Sequence, residues 1–187
     1  QMRQLKARHD AVERAIQSIE RYRKSPATGT LSLEYIDRRT VWGIPCTENF
    51  YQKDIHSYEK MLMRLRENLE DAGFPQIHSY NVGTSIARED FEQGRLAAGN
   101  IFIFAGRTVP GGQSGCRVVD SGMFACVYLD NYDDEVRGIT MLREYCAVNR
   151  CRVAGDYICE VMTGFNVFDN DPRTMFLRLQ VPVTFPK

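Results

Sequence analysis

The apolar positions of the first two dozen residues form one narrow seam. Met2, Leu5, Val12, Ile16 and Ile19 step by three and four, with His9 filling the single gap. This is the a/d spacing of a coiled coil, and Ser25-Pro26 ends it because proline cannot continue a helix. So narrow a stripe cannot enclose a core alone. It packs either on its own domain or, as expected here, on the same helix of a second chain. Beyond the breaker at Pro26–Gly29 the pattern shortens. Leu31–Ile44 reads as a strand, in which Leu31, Leu33 and Tyr35 alternate with Ser32 and Glu34 before a polar bend and Val41-Trp42-Gly43-Ile44. Asp54–Ala72 reads as a helix with Ile55, Tyr58, Leu62, Leu65 and Leu69 on one face, Gly73 as its cap and Pro75 beyond. Ile101–Phe104 is a compact strand, and Pro110–Gly112 a turn closing the first half.

The second half repeats that order. Cys116–Leu129 reads as a strand bent at Ser121-Gly122, and Asp133–Asn149 as a helix with Val136, Ile139, Leu142 and Cys146 inward. Val153–Met162 is a strand. Met175–Val183 is another, with Met175, Leu177, Leu179 and Val181 on one face and Phe176, Arg178 and Gln180 on the other. Asp37–Cys46 matches Asp120–Leu129, and Leu65-Arg66-Glu67 matches Leu142-Arg143-Glu144, a weak duplication with a period of about 80 residues. The expected fold class is α+β: two strand-helix-strand-strand repeats forming an antiparallel sheet with helices on one face, plus the N-terminal coiled-coil helix. Residues 1–24 would be the dimerisation helix and 30–187 the globular domain. The face opposite the helices would be concave and half covered.

Composition narrows the function classes. The 187 residues carry 24 Lys+Arg and 24 Asp+Glu, so the chain has no basic surplus for binding nucleic acid by overall charge. The neutral total hides two unlike parts. Residues 1–24 contain 7 basic and 3 acidic residues, hence +4, and the remainder is −4. With 43% hydrophobic and 26% charged residues the chain is globular, and it holds no run of about 18 apolar residues for a membrane span. The six cysteines lack CxxC spacing, and His9, His56 and His78 lie far from them, so reduced thiols in the cytoplasm are expected and a metal site is not.

Enzyme signatures are thin. There is no GxSxG, HExxH, P-loop or GxGxxG, the glycine-rich stretch 106–115 reads as a crossover, and no cysteine has an activating context. What the chain does have is a stock of aromatics in strands and in the segment before the first globular helix, Trp42, Phe50, Tyr51, Phe104, Tyr157, Phe165 and Phe176 among them. Aromatic pockets with a few placed polar groups bind small molecules, and one charge inside selects ligand sign. The candidate charge is Glu160, set among Tyr157, Ile158, Cys159, Val161 and Met162. Either it is a pocket acceptor, with Arg178 as partner or second contact, or it is a solvated residue or one half of a pair with Arg178 on a neighbouring strand.

GDYICEV at 155–161, the acidic loop with Asp169 and Asp171-Pro172, and LRLQVPV at 177–183 resemble the end of the effector-binding domains of MerR-type transcription regulators, a module shared with GyrI-like ligand-binding proteins. The resemblance covers about Leu31–Val183, and the coiled-coil helix ahead of it adds to the likeness. It implies paired strand-helix-strand-strand repeats and a glutamate in an aromatic pocket, at Glu160 or, one place earlier, at the position that Cys159 occupies here. It also implies a DNA-reading part ahead of the coiled coil, so that the opening at Gln1 is expected for a piece of a longer regulator. The function so implied is effector sensing: a small hydrophobic, multidrug-like ligand, a cation being one candidate, bound between the repeats by Trp42, Phe50, Tyr51, Phe104, Tyr157, Glu160, Phe176 and Arg178. The signal would pass through a homodimer to promoter DNA, with no cofactor and no membrane. The alternatives are a freestanding GyrI-like scavenger or hydrolase, and an adaptor acting through the coiled coil.

Overall fold

The computed structural model describes residues 2–52, 55–74, 80–106, 114–162 and 176–186. The Pro110–Gly112 turn and residues Asp54, Pro75, His78, Phe165, Asp169, Asp171, Pro172 and Met175 lie outside the described residues. Helix α1 (Met2–Lys24) is followed by β1 (Leu31–Ile36), β2 (Arg39–Pro45), α2 (Ile55–Asp71), β3 (Val82–Ile86), α3 (Arg88–Gln93) and β4 (Asn100–Phe104). Then come β5 (Cys116–Val119), β6 (Gly122–Leu129), α4 (Glu135–Val148), β7 (Arg152–Val153), β8 (Tyr157–Val161) and β9 (Leu177–Thr184), with a 3-10 turn at Tyr132–Asp134 before α4. No helix among the described residues is long and apolar enough to cross a membrane.

The class is α+β, built on one curled antiparallel sheet ordered β1-β6-β9-β8-β3-β4-β2-β5, with β7 pairing on β9. Two runs of strand, helix, strand, strand occupy opposite halves of this order. They are β2, α2, β3, β4 and β6, α4, β8, β9, and they meet where β3 pairs with β8. Each run's flanking strand has crossed to the other half, β1 pairing with β6 and β5 with β2. The expected single strand Leu31–Ile44 is therefore two strands at distant places in the sheet, separated at Asp37-Arg38, because their hydrogen-bond partners differ. Cys116–Leu129 divides likewise at Asp120-Ser121, and Val153–Met162 at Ala154–Asp156.

Both long globular helices pack on one face of the sheet. Tyr58, Leu62, Leu65 and Leu69 of α2 and Ile139, Leu142 and Cys146 of α4 enter one core with Ile101, Ile103, Val127, Leu129, Leu177 and Leu179. Burying each such leucine contributes about 1.5–3 kcal/mol. Val136, expected inward, is 45% exposed, and Glu135 is buried in its stead. Gly138 lets α4 lie directly against Leu129 and Leu179, where a Cβ would collide. Helix α2 ends as its sequence asks. Gly73 turns at φ +74°, with Phe74 N bonding Leu69 O and Gly73 N bonding Glu70 O, both at 3.0 Å. The opposite face carries Ile36, Phe124, Cys126, Tyr128, Met162 and Phe176 in one apolar cluster and Val41, Phe102 and Ile158 in another. The apolar seam of α1 packs on neither, its exposure running from 48% at Ile19 to 85% at Met2.

Candidate functional site

Two buried acids mark the two faces of the sheet. On the helix side, Glu135 opens α4 and is 2% exposed. Its Oε1 accepts hydrogen bonds from Tyr51 Oη at 2.7 Å and from Tyr157 Oη at 2.9 Å. Further rings enclose it. Phe50 lies 4.7 Å from Tyr51 between centroids and meets Tyr58 edge-on at 5.5 Å, and Tyr58 lies 5.3 Å from Tyr132. Phe91 of α3 stacks on Tyr157 at 5.5 Å. The cage draws on both halves of the sheet. Phe50, Tyr51 and Tyr58 come from the first run, and Tyr132, Glu135 and Tyr157 from the second.

No cation pairs with Glu135 among the described residues. Burial raises its pKa above the ordinary carboxylate value, and hydrogen bonds from Tyr51, Tyr157 and Cys159 only partly oppose that. Burial, then the neighbouring Glu135, push Tyr51 and Tyr157 well above the ordinary phenol value, so both stay protonated as donors. The helix N-terminus adds a favourable dipole but no net charge. A carboxyl whose folded pKa is raised binds more protons folded than unfolded. Its contribution to stability is therefore greatest at acid pH and is lost as pH rises through the raised value. Glu135→Gln should accordingly gain stability relative to wild type between acid and neutral pH, read as a rising difference between the two melting temperatures. A difference independent of pH would exclude the raised value.

On the open face, Glu160 is fully buried and multiply bonded. Its Oε2 accepts from Arg178 Nη2 at 2.6 Å, Gln180 Nε2 at 3.2 Å and Arg39 Nη1 at 3.3 Å, and its Oε1 accepts from Asn81 Nδ2 at 3.4 Å. Arg39 also donates to Gln180 Oε1 at 2.8 Å, and its guanidinium lies between the rings of Phe104 at 5.3 Å and Phe124 at 5.4 Å. Burial alone would lower the Arg178 pKa, but Glu160 more than offsets that and holds it raised. Gly83 stands opposite Glu160 in register, and the Phe102 and Phe104 rings lie over it at 2.6 and 3.0 Å from where a Cβ would be. A glycine is therefore what leaves room for the cluster.

The eight residues singled out from sequence divide between these faces. Glu160, Arg178, Phe104 and Phe176 lie on the open face, Phe176 stacking on Tyr128 at 5.8 Å. Phe50, Tyr51 and Tyr157 join Glu135 on the helix side. Trp42 is in the helix-side core too, 5.4 Å from Phe74 and donating its indole N–H to Ser114 O at 3.1 Å. Cys159 points into the helix-side core and Glu160 away from it, as alternation along β8 requires. Glu135, Tyr132, Arg39, Asn81 and Gln180 were not in the sequence-based set. The spacing 135, 139, 142, 146 does place Glu135 on the buried stripe of α4, a signal masked by its two acidic neighbours, Asp133 and Asp134. Burial raises all six thiols above their ordinary value, Cys46 and Cys146 to about 11 and Cys126 to about 12. None is the lowered thiol that nucleophilic catalysis needs.

The open face also carries two depressions. One, of about 390 Å³, is lined by Val41, Phe102, Phe124, Ile158 and Pro182. The other, of about 480 Å³, lies between α1 and the end of the sheet at Arg39, Tyr80 and Phe104.

No protein-family profile matches the chain, and no curated protein matches it in sequence. Solved structures share its fold. The EcmrR C-terminal domain superposes with a TM-score of 0.62 at 13% identity, covering 86% of this chain and 100% of that one. EcmrR in complex with DNA gives 0.62 at 14% identity, covering 100% of this chain and 68% of that one. A hydrolase from Listeria innocua gives 0.52 at 10% identity, covering 89% and 98% respectively. At such identities the likeness is one of fold.

Proposed function

We propose that this chain is the effector-sensing part of a MerR-type transcription regulator, and that it binds a small apolar cation between its two strand-helix-strand-strand runs, which we take to be copies of one unit. The observation that carries this reading is Glu135: a buried carboxyl with no cationic partner among the described residues, held by tyrosine hydroxyls and ringed by aromatic faces from both runs. A positive charge placed there gains a carboxylate, and aromatic faces besides. Glu160 cannot serve such a ligand as it stands, because Arg178 and Arg39 already neutralise it. In this reading Glu160 anchors the open face, and Phe50, Tyr51 and Tyr157 supply the ligand contacts.

The exposed seam of α1 supports homodimerisation through that helix, and EcmrR, which shares the fold, has been seen bound to DNA. DNA-reading domains joined ahead of α1 would feel the ligand as a change in the geometry of the dimer. Such relay requires only that the ligand bind one geometry better than the other. The protein would then work in the cytoplasm, where its six free cysteines stay reduced. Despite the hydrolase among the fold neighbours, we take it to be a binding protein, and the raised thiols speak against cysteine catalysis.

The test is a thermal melt with tetraphenylphosphonium, an apolar monocation. Binding to the folded state should stabilise it by about 2.7 kcal/mol at a hundredfold excess over Kd. No shift of the melting temperature at any concentration would refute the reading.

A further inference from the structure

Helix α4 ends in a turn that carries two thiols. Cys151 N donates to Cys146 O at 2.9 Å and Arg150 N to Ala147 O at 3.3 Å, the two nested bonds that close a helix around a left-handed residue. That residue is Arg150, at φ +54°, the one with a Cβ to adopt a positive φ among the described residues. A side chain there is strained, and such strain persists only where the surroundings impose it. In this kind of cap the first and last residues of the bonded loop meet through their side chains. Here they are Cys146 and Cys151, both packed into the helix-side core. A single backbone hydrogen bond joins them, which brings their Cα atoms within the roughly 4.4–6.8 Å that a disulfide spans. Cys126 and Cys159, by contrast, face opposite sides of the sheet, and Cys116 stands on its edge strand. Access to the two thiols is uneven. Cys146 is 4% exposed, whereas Cys151 is half-buried between Arg150 and Arg152, both exposed. The Cys151 thiol donates to Asn149 O at 3.8 Å, a weak bond.

We propose that Cys146 and Cys151 are a modification site, a pair that an anionic low-molecular-weight disulfide such as oxidised glutathione converts to an intramolecular disulfide. The Cys151 thiolate attacks one sulfur of the oxidant. That S–S bond breaks as the mixed disulfide forms, and one glutathione leaves and takes up a proton. The Cys146 thiolate then attacks Cys151 Sγ and expels the second glutathione. The protein loses two thiol hydrogens and two electrons, which the two glutathione thiols carry away. Arg150 and Arg152 favour the approach of the oxidant's carboxylates. The new bond closes across Arg150 and fixes the strained turn by which α4 passes to β7. It lies at the end of α4 remote from Glu135, so the proposal stands apart from the effector reading.

The test incubates the whole folded chain with oxidised glutathione, alkylates it and digests it with trypsin without reduction. Cleavage after Arg143, Arg150 and Arg152 yields Glu144–Arg150 and Cys151-Arg152, which stay joined only where the disulfide has formed. The joined pair should be the main product. Burial raises both thiols, so its rate of formation should climb about tenfold for each pH unit above neutrality. Cys146→Ala should stop at the mixed disulfide, with one glutathione retained on Cys151. Should that core variant fail to fold, the wild-type peptides alone decide. Glutathione held on Cys151 of the wild-type chain without joined peptides would overturn the proposal. So would a Cys151 left unmodified while Cys116 reacts, or joining that appears only once the chain is unfolded in urea.

Discussion

Glu160→Gln will lower the stability of the folded chain by about 3–5 kcal/mol, the range for removing one member of a buried ion pair. The cause is what remains. Arg178 and Arg39 are both mostly buried against this carboxylate, and a neutral amide takes from both guanidinium groups, in a low-dielectric site, the charge that they share. Gln180 and Asn81, which now donate to Glu160, lose their acceptor in part. Urea denaturation should show the midpoint falling with the slope unchanged, because the fold is the same and only its free energy differs. Adding Arg178→Met should recover part of the loss, since an apolar side chain of similar length removes the stranded charge. A Glu160→Gln chain as stable as wild type would mean that the cluster is solvated and that the ion pairs contribute little.

The second large effect is on assembly. Val12→Asp combined with Ile16→Asp should turn a dimer into a monomer, seen by light scattering as a halving of the mass. Met2, Leu5, Val12, Ile16 and Ile19 form one stripe on α1 and are all at least 48% exposed in the single chain, while the domain's own core excludes them. Pairing two such helices removes ten apolar side chains from water. Two aspartates per helix in that seam would have to be buried unpaired, at a cost of several kcal/mol. The globular domain should keep its melting temperature, because no seam residue belongs to its core. A chain monomeric before mutation, or a dimer that survives it, would place the contact elsewhere.

Much of this was legible in the residues because the deciding contacts are local. The seams of α1 and α4 and the alternation of β9 follow from spacing alone, and Gly73 caps α2 as its position suggests. Pairing was less legible. Nothing along Leu31–Ile44 says that β1 joins β6 while β2 joins β4, since both pairings span long stretches of chain. Strand β3 is not legible in the sequence because Gly83, Thr84 and Ser85 give it no apolar signal, although every residue of the strand is buried.

The candidate site divides in the same way. That Glu160 and Arg178 face each other is a matter of neighbouring strands, and their pairing was among the alternatives the residues allowed. Arg39 is different. β3 and β4 stand between β2 and β8 in the sheet, so only the curl of the whole sheet brings its guanidinium to Glu160. In the sequence Glu135 follows Asp133 and Asp134 at the start of its helix, where acids complement the helix dipole. It is buried because α4 lies across the sheet with that residue turned toward Tyr51 and Tyr157, which depends on tertiary packing.

Isothermal titration of tetraphenylphosphonium into the wild-type chain and into Glu135→Gln tests the central claim most directly. The amide keeps the size of the side chain and its bonds to Tyr51 and Tyr157 while removing the charge. The account predicts that affinity for the cation falls about tenfold or more, the loss of one buried charge-charge contact, with Glu160→Gln retaining wild-type affinity wherever it remains folded. Equal affinity of wild type and Glu135→Gln, or a loss confined to Glu160→Gln, would contradict it.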